Sequence, residues 1–261
     1  MSFADYKTAL VTGASSGIGA GVVERLAREG LKVHAIARRE DRLAELSAKT
    51  GCVVHAIDVR DTSALREAVA HLPIDVLVNN AGINRPGSIA TATDDDLDAL
   101  VDIGLGAVMQ LTRIVLPGMM ARDLGHVVTI GSIAGLHSFP GHAGYHAAKA
   151  GVHALCQQLR IDLYGTRVRV TEICPGRTAT EIFATTFGDE ADARRRFLDG
   201  FDTLQVADVV DAIAFAIAAP WHVNISLMEI WPTYQVCGGL RFAQPEHPSA
   251  STPREQSREP R

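Results

Sequence analysis

The chain has 261 residues, 25 Lys and Arg against 30 Asp and Glu, a net charge of −5 and 47% hydrophobic residues. That is the composition of an ordinary globular protein, and an α/β chain of roughly 250 residues commonly forms one unit with a large core. With a pI near 6.0 and no basic half, it lacks the electrostatic footprint that a phosphate backbone requires, so no nucleic-acid partner is expected.

Residues 1–7 carry neither a basic stretch nor an apolar run before a small-residue cleavage site, so no secretory leader is expected. Strands are predicted at 8–11, 33–36, 53–57, 76–78, 127–130, 168–171 and 227–230, with helical patterns between them. Near-continuous apolar strands separated by helices predict a parallel sheet of about seven strands, covered on both faces. In the first helix Val22, Val23, Leu26 and Ala27 have helical spacing, and Gly30 stands where a left-handed cap belongs. Asp94-Asp95-Asp96 after Thr93 reads as a helix start, where carboxylates complement the dipole. The apolar stretch 206–218 is broken by Asp208 and Asp211 and is too short for a hydrocarbon core of about 30 Å, so no membrane span is expected.

Cys52, Cys156, Cys174 and Cys237 are far apart and suggest neither a disulfide framework nor a zinc knuckle; they read as reduced, mostly buried thiols of a cytoplasmic protein. There is no repeat of solenoid length. Residues 243–261, rich in proline, serine and charge, predict a disordered tail after a single domain over 1–242.

Directly after the first predicted strand, Thr12-Gly13-Ala14-Ser15-Ser16-Gly17-Ile18-Gly19 opens the helix carrying Val22 and Leu26. Glycines 13, 17 and 19 allow a tight turn and a close approach of backbone N–H groups to a pyrophosphate at a positive helix N-terminus. Between strand and helix, this loop specifies a dinucleotide site in a doubly wound, Rossmann-type domain; no Gly-Lys-Ser/Thr follows, which excludes a P-loop. At the end of the second strand, where an acidic residue would take the ribose 2′-hydroxyl of NAD, stands Ala37-Arg38-Arg39. Two guanidiniums suit a 2′-phosphate, so NADP(H) is the expected cofactor.

Ser132 ends the fifth strand, and Tyr145 is followed four residues later by Lys149, which places phenol and ammonium on one helix face. Hydride transfer to a carbonyl needs a matching proton. A phenol is a poor donor at neutrality, and a neighbouring ammonium with the positive charge of an oxidised nicotinamide favours the phenolate. Ser132 would hold the substrate oxygen.

With these residues the chain resembles the short-chain dehydrogenase/reductase family over about residues 5–242, including Asn79-Asn80-Ala81-Gly82 and Pro175-Gly176. The resemblance implies that Tyr145 is the acid/base, that Ser132 orients the carbonyl and that Lys149 also binds the nicotinamide ribose. It implies that Gly13, Ser15, Ser16, Gly17, Ile18, Gly19, Arg38, Arg39, Ala81, Gly82, Pro175, Gly176 and Thr178 form the cofactor site, with Ile83 and Thr180 along the cofactor. Asp58 would meet the adenine, and Asn79 would steady the central strand and cofactor. Family members are mostly tetramers, pairing helices that here would span about 105–120 and 144–164. One departure is Gly104, which stands where the family usually has an Asn that holds a water linking the Lys to solvent. Slower proton exchange is expected, and the alternative reading is an NADP-binding scaffold or sensor that has lost catalysis.

The segments Arg38-Arg39-x-x-Arg42-Leu43, Leu116-Pro117-Gly118-Met119, Pro220-Trp221-His222-Val223-Asn224-Ile225 and Glu229-x-x-Pro232-Thr233-x-Gln235 are similar to the NADP-dependent serine and 3-hydroxy acid dehydrogenases of that family. This implies a small hydroxy or carbonyl substrate, such as a 3-hydroxy acid or another small anionic alcohol. Candidate pocket residues are His137, Phe139 and His142, between Ser132 and Tyr145, and Arg85 and Arg177, which suit a carboxylate or sulfonate. His142 and His146 have metal-ligand spacing but no third ligand, so no metal is expected. Arg194-Arg195-Arg196 reads as a solvated face.

Overall fold

The structure, a computed structural model, describes residues 3–182, 191, 195, 198–199 and 202–235. The strands are β1 (Thr8–Thr12), β2 (Lys32–Ala37), β3 (Val53–Ala56), β4 (Val76–Asn79), β5 (Gly125–Ile130), β6 (Val168–Pro175) and β7 (Leu227–Ile230). The helices are α1 (Gly17–Arg28), α2 (Glu40–Thr50), α3 (Thr62–Val69), α4 (Asp94–Val101), α5 (Ala107–Arg122), α6 (Ala143–Asp162) and α7 (Val206–Ala218). All pairings are parallel, in the order β3-β2-β1-β4-β5-β6-β7. This is the doubly wound, Rossmann-like sheet expected from the sequence.

Strands β1, β4, β5 and β6 are buried along their whole length. Their alternation feeds two cores. Ala9, Val11, Val76 and Val78 face α1, α2 and α7, whereas Leu10 and Leu77 face α3, α5 and α6. β6 runs four residues past its expected end because Glu172 is buried at 1% exposure and partnered there by His153. Its neighbour Arg169 is also buried, and its guanidinium donates to the carbonyls of Ile217 (2.7 Å), Val223 (3.0 Å) and Ala219 (3.1 Å) and to the Tyr6 hydroxyl (2.8 Å). It thereby satisfies the carbonyls left over at the C-terminal end of α7.

The local signals behave as expected at two helix ends. Gly30, at φ 90°, donates to Ala27 O while Leu31 donates to Leu26 O, which closes α1. Thr93 Oγ1 accepts the Asp96 N–H at 3.1 Å and starts α4. A π-helical turn, Asp102–Gly106, joins α4 to α5. The resulting run Asp94–Arg122, rather than 206–218, is long and apolar enough to cross a bilayer, with mean hydropathy 1.6; half of it is buried, as in a core helix. Cys52, Cys156 and Cys174 are buried, and burial pushes the Cys156 thiol up to about 12. Cys237, residues 243–261, Arg194 and Arg196 lie outside the described residues.

The strand order reverses between β1 and β4, so the loops after these strands diverge and leave a crevice at the carboxyl end of the sheet.

Candidate active site

A cleft of about 780 Å³ opens in that crevice, and the loops following β1 to β6 form its walls. The glycine loop is one wall. Gly13 and Gly17 have φ values of 66° and 53°, and a Cβ on Gly13 would lie 2.8 Å from Asn80 Nδ2 and 2.9 Å from Ala81 Cα. Only a bare backbone fits there, and that is the form of cradle that admits a pyrophosphate. Ser15, Ser16 and Ile18 line the cleft with it. Gly19 lies behind the wall instead: a Cβ there would run into the Gly13 carbonyl, so this glycine sets α1 tight against the loop.

The loop is clamped by Asn80. Its Nδ2 donates to Thr12 O at 3.0 Å, and the Thr12 hydroxyl accepts the N–H groups of Asn80 and Ala81, both at 3.0 Å. The expectation for Asn79 is therefore corrected. Asn79 lies on the Leu77 side of β4, donates to Thr112 Oγ1 of α5 at 3.1 Å, and does not line the cleft. The period-two alternation of β4 already carried that signal.

At the end of β2, Arg38 is exposed on the rim. Arg39 donates from Nε to Ser15 Oγ (3.0 Å), from Nη2 to Ser16 Oγ (2.6 Å) and from Nη1 to Glu181 Oε2 (2.9 Å). Asp58 lines the same end, and its hydrogen bond from Arg60 holds its carboxyl below the usual range. Ala81, Gly82, Ile83, Pro175, Gly176, Thr178 and Thr180 complete the cofactor-side walls.

Ser132, Tyr145 and Lys149 line the same cleft. Ser132 is buried, and its Oγ accepts the Ala134 N–H at 3.1 Å, which starts the 3-10 turn Ile133–Gly135. Tyr145 lies in the first turn of α6. Lys149 is buried one turn on, donates to Ile130 O at 2.7 Å, and has its Nζ 5.9 Å from the centre of the Tyr145 ring. Gly104 sits in the π-helical turn, where a Cβ would stand 3.2 Å from Ala148 Cβ, next to Lys149 in the chain. Ile103 of that turn reaches the cleft.

On the substrate side, Arg85, Phe139, His142 and Arg177 all line the cleft. Arg85 is paired with Asp96 at 3.0 Å. His142 Nδ1 meets Asn84 Oδ1 at 3.3 Å, and burial, then the neighbouring His146, keeps the ring below its usual protonation range. His146 Nδ1 is spent on Ala134 O at 2.6 Å. Arg177 is half-buried, and burial pushes its guanidinium below its ordinary range. Its backbone N–H donates to Gln235 Oε1 at 2.8 Å, and a Cβ on Gly176 would lie 2.6 Å from that oxygen. His137 is corrected: the turn after Ser132 carries it out of the cleft to β7, where Nε2 meets Glu229 Oε2 at 2.8 Å and the ring packs edge-on against Trp231. Asn80, Asn84, Glu181 and Gln235 were not anticipated as site residues; Asn80 and Gln235 carried a sequence signal, each within a motif, and Asn84 and Glu181 carried none.

Residues 7–191 match the short chain dehydrogenase family. An uncharacterised short-chain type dehydrogenase/reductase of Sinorhizobium fredii is 39% identical over 240 residues, covering 92% of this chain and 96% of that protein. The NADP-dependent 3-hydroxy acid dehydrogenase of Escherichia coli is 39% identical over 241 residues, covering 88% of this chain and 97% of its own length. Among solved structures, the closed form of serine dehydrogenase complexed with NADP+ superposes with a TM-score of 0.87 at 37% identity, covering 91% of this chain and 99% of that one. The chain belongs to the short-chain dehydrogenase family.

Proposed function

We propose that the chain is an NADP(H)-dependent oxidoreductase that interconverts a small anionic hydroxy compound, such as a 3-hydroxy acid, with its carbonyl. The observation that supports this reading is that Ser132, Tyr145 and Lys149 line the same cleft as the glycine cradle and Arg38-Arg39. NADP(H), when bound, supplies or takes up the hydride. Gly13, Ser15, Ser16, Gly17, Ile18, Ala81, Gly82, Pro175, Gly176, Thr178 and Thr180 would hold it, with Asp58 at the adenine and the rim at the end of β2 towards the 2′-phosphate.

The Tyr145 oxygen exchanges the proton with the substrate oxygen: the phenolate accepts it from the hydroxyl in oxidation, and the phenol returns it to the carbonyl oxygen in reduction. Ser132 Oγ already accepts from Ala134, so its own proton is directed outward to donate to that same oxygen. Lys149 anchors one N–H on Ile130 O and keeps two donors for ribose hydroxyls, while its charge supports the phenolate. Arg177 is the anion-reading residue on this account, since its half-buried guanidinium belongs to the cleft lining and suits a carboxylate. The names of the serine and 3-hydroxy acid relatives support this substrate class.

The test is NADP+ reduction across a panel of small 3-hydroxy acids, hydroxysulfonates and neutral alcohols, with NAD+ and Tyr145→Phe as controls. Turnover with NADP+ on an anionic class is expected, reduced by about 10²–10⁴-fold in Tyr145→Phe with NADPH binding intact. Arg177→Met should raise KM for anionic substrates only. Tight NADPH binding without turnover on any substrate would overturn catalysis in favour of the sensor reading. The proposal extends to a single domain over 1–242, a cytoplasmic site and a homotetramer pairing α5 and α6, whose exposed Met109, Met120 and Ile161 suit such a seam; sedimentation reads the oligomer.

A further inference from the structure

Arg38 and Arg39 are adjacent in the chain and alike in chemistry, but the fold treats them differently. Arg39 has three of its five N–H donors engaged, on Ser15, Ser16 and Glu181, at 3.0, 2.6 and 2.9 Å. Its charge is balanced by a carboxylate in direct contact. Burial works against that carboxylate, yet the Arg39 contact, with help from Ser16 and Arg42, holds it below its usual range, so it is ionised at neutrality. Arg38 makes no ion pair among the described residues, and the Asp58 carboxylate near it is itself bound by Arg60. A guanidinium neutralised in this way offers a dianion much less than its unpaired neighbour does.

A second observation says what Arg39 does instead. The glycine loop and the segment after β6 meet at this point: a Cβ on Gly17 would touch Thr180 Cγ2 at 3.5 Å, and Glu181 is the next residue. The Arg39–Glu181 pair, with the Arg39 bonds to Ser15 and Ser16, therefore ties the pyrophosphate loop to the segment carrying Thr178 and Thr180, and both line the cofactor cleft.

We infer that the two arginines have separate roles: Arg38 discriminates NADP(H) from NAD(H), whereas Arg39 and Glu181 together hold the two cofactor walls in register and serve both cofactors alike. This rests on the NADP(H) reading above. Arg39 and Glu181 are positioning residues on this account, and Arg38 is the specificity determinant.

The experiment measures dissociation constants of NADPH and NADH, without substrate, by nicotinamide fluorescence or calorimetry for the wild type, Arg38→Ala, Arg39→Ala, Glu181→Gln and the Arg39→Ala/Glu181→Gln double variant. Arg38→Ala should weaken NADPH by roughly 10- to 100-fold, as expected for a lost charge-assisted contact, and leave NADH within about threefold. Arg39→Ala and Glu181→Gln should each weaken both cofactors by a common factor of roughly two to five, as for a half-exposed pair, and the double variant should be no worse than Arg39→Ala alone. Tighter NADPH binding in Glu181→Gln with NADH unchanged would overturn the inference, since it would make Glu181 a competitor of the phosphate. An NADPH-selective loss in Arg39→Ala equal to that of Arg38→Ala would overturn it too. A wild type that binds neither cofactor would sink the NADP(H) reading itself, and this inference with it.

Discussion

Replacing Asn80 and Asn79 in turn separates cofactor binding from simple stability. Asn80→Ala removes the donor to Thr12 O at 3.0 Å and its weaker partner Gly13 O at 3.4 Å, the two carbonyls that bracket the turn into the cradle. Leaving a buried carbonyl unpaired costs about 1–3 kcal/mol. Because a Cβ on Gly13 would already touch Asn80 Nδ2 at 2.8 Å, the loop and this side chain are in contact, and a cavity in its place lets the cradle relax. If about half of that free energy falls on the loop, NADPH binding weakens by roughly 2- to 12-fold. Asn79→Ala breaks one bond, to Thr112, between two side chains each 3% exposed, and should lower stability by a similar 1–3 kcal/mol. Its NADPH dissociation constant should not move. The assay pairs an NADPH fluorescence titration with urea unfolding for both variants. Should Asn79→Ala weaken NADPH as much as Asn80→Ala does, the clamp has been assigned to the wrong residue.

Gly104→Asn forces a Cβ to within 3.2 Å of Ala148, so the π-helical turn and α6 must part by a few tenths of an ångström beside Lys149; kcat should fall by less than about tenfold, and Ala148→Gly should restore it. A rise in kcat instead would mean that the missing Asn side chain, rather than packing, governs turnover. Glu172 rests on His153 Nδ1 at 2.6 Å, so His153→Ala should cost about 3 kcal/mol and His153→Asn, which retains a donor, distinctly less; equal urea midpoints would refute the pairing. His34, 4% exposed, is pushed down to about 4 by burial and then by His55, Lys32 and His71. The unfolded chain takes up this proton near pH 6.5 and the fold only near 4, so stability is full above 6.5 and declines as pH falls towards 4, by about 3 kcal/mol. His34→Leu should flatten that decline, and an unchanged pH profile would contradict it.

The sheet was legible because its strands are apolar on both faces, and that signal is local. The cradle and the Tyr145–Lys149 pair were legible for a related reason: each is a short spacing on one element, eight residues of loop or one turn of helix, and Ser132 was legible from its place at the end of the fifth strand. The errors arose where position along a loop stood in for position in space. His137 lies between Ser132 and Tyr145 in the chain, yet a 3-10 turn takes it to β7. Asn79 belongs to the motif, yet strand alternation aims it at α5. The sixth strand was expected to end at Thr171, and nothing local announces that a helix residue, His153, meets Glu172 just beyond it.

The substrate side was the least legible, because its polar groups meet only after folding. Asn84 finds His142, and Gln235 finds the N–H of Arg177, each across 58 residues. These pairs divide the candidate substrate contacts. His142 meets Asn84 through Nδ1, and Arg85 pairs with Asp96. Arg177 sits on a turn fixed from outside by Gln235, and burial penalises its charge. A cation that is penalised by burial gains most from an anion that shares its pocket, since the low local dielectric which raises the one cost strengthens the other attraction. That is why substrate charge should be read out at Arg177, and why its loss should raise KM for an anionic substrate while leaving the Tyr145 chemistry of a neutral one in place.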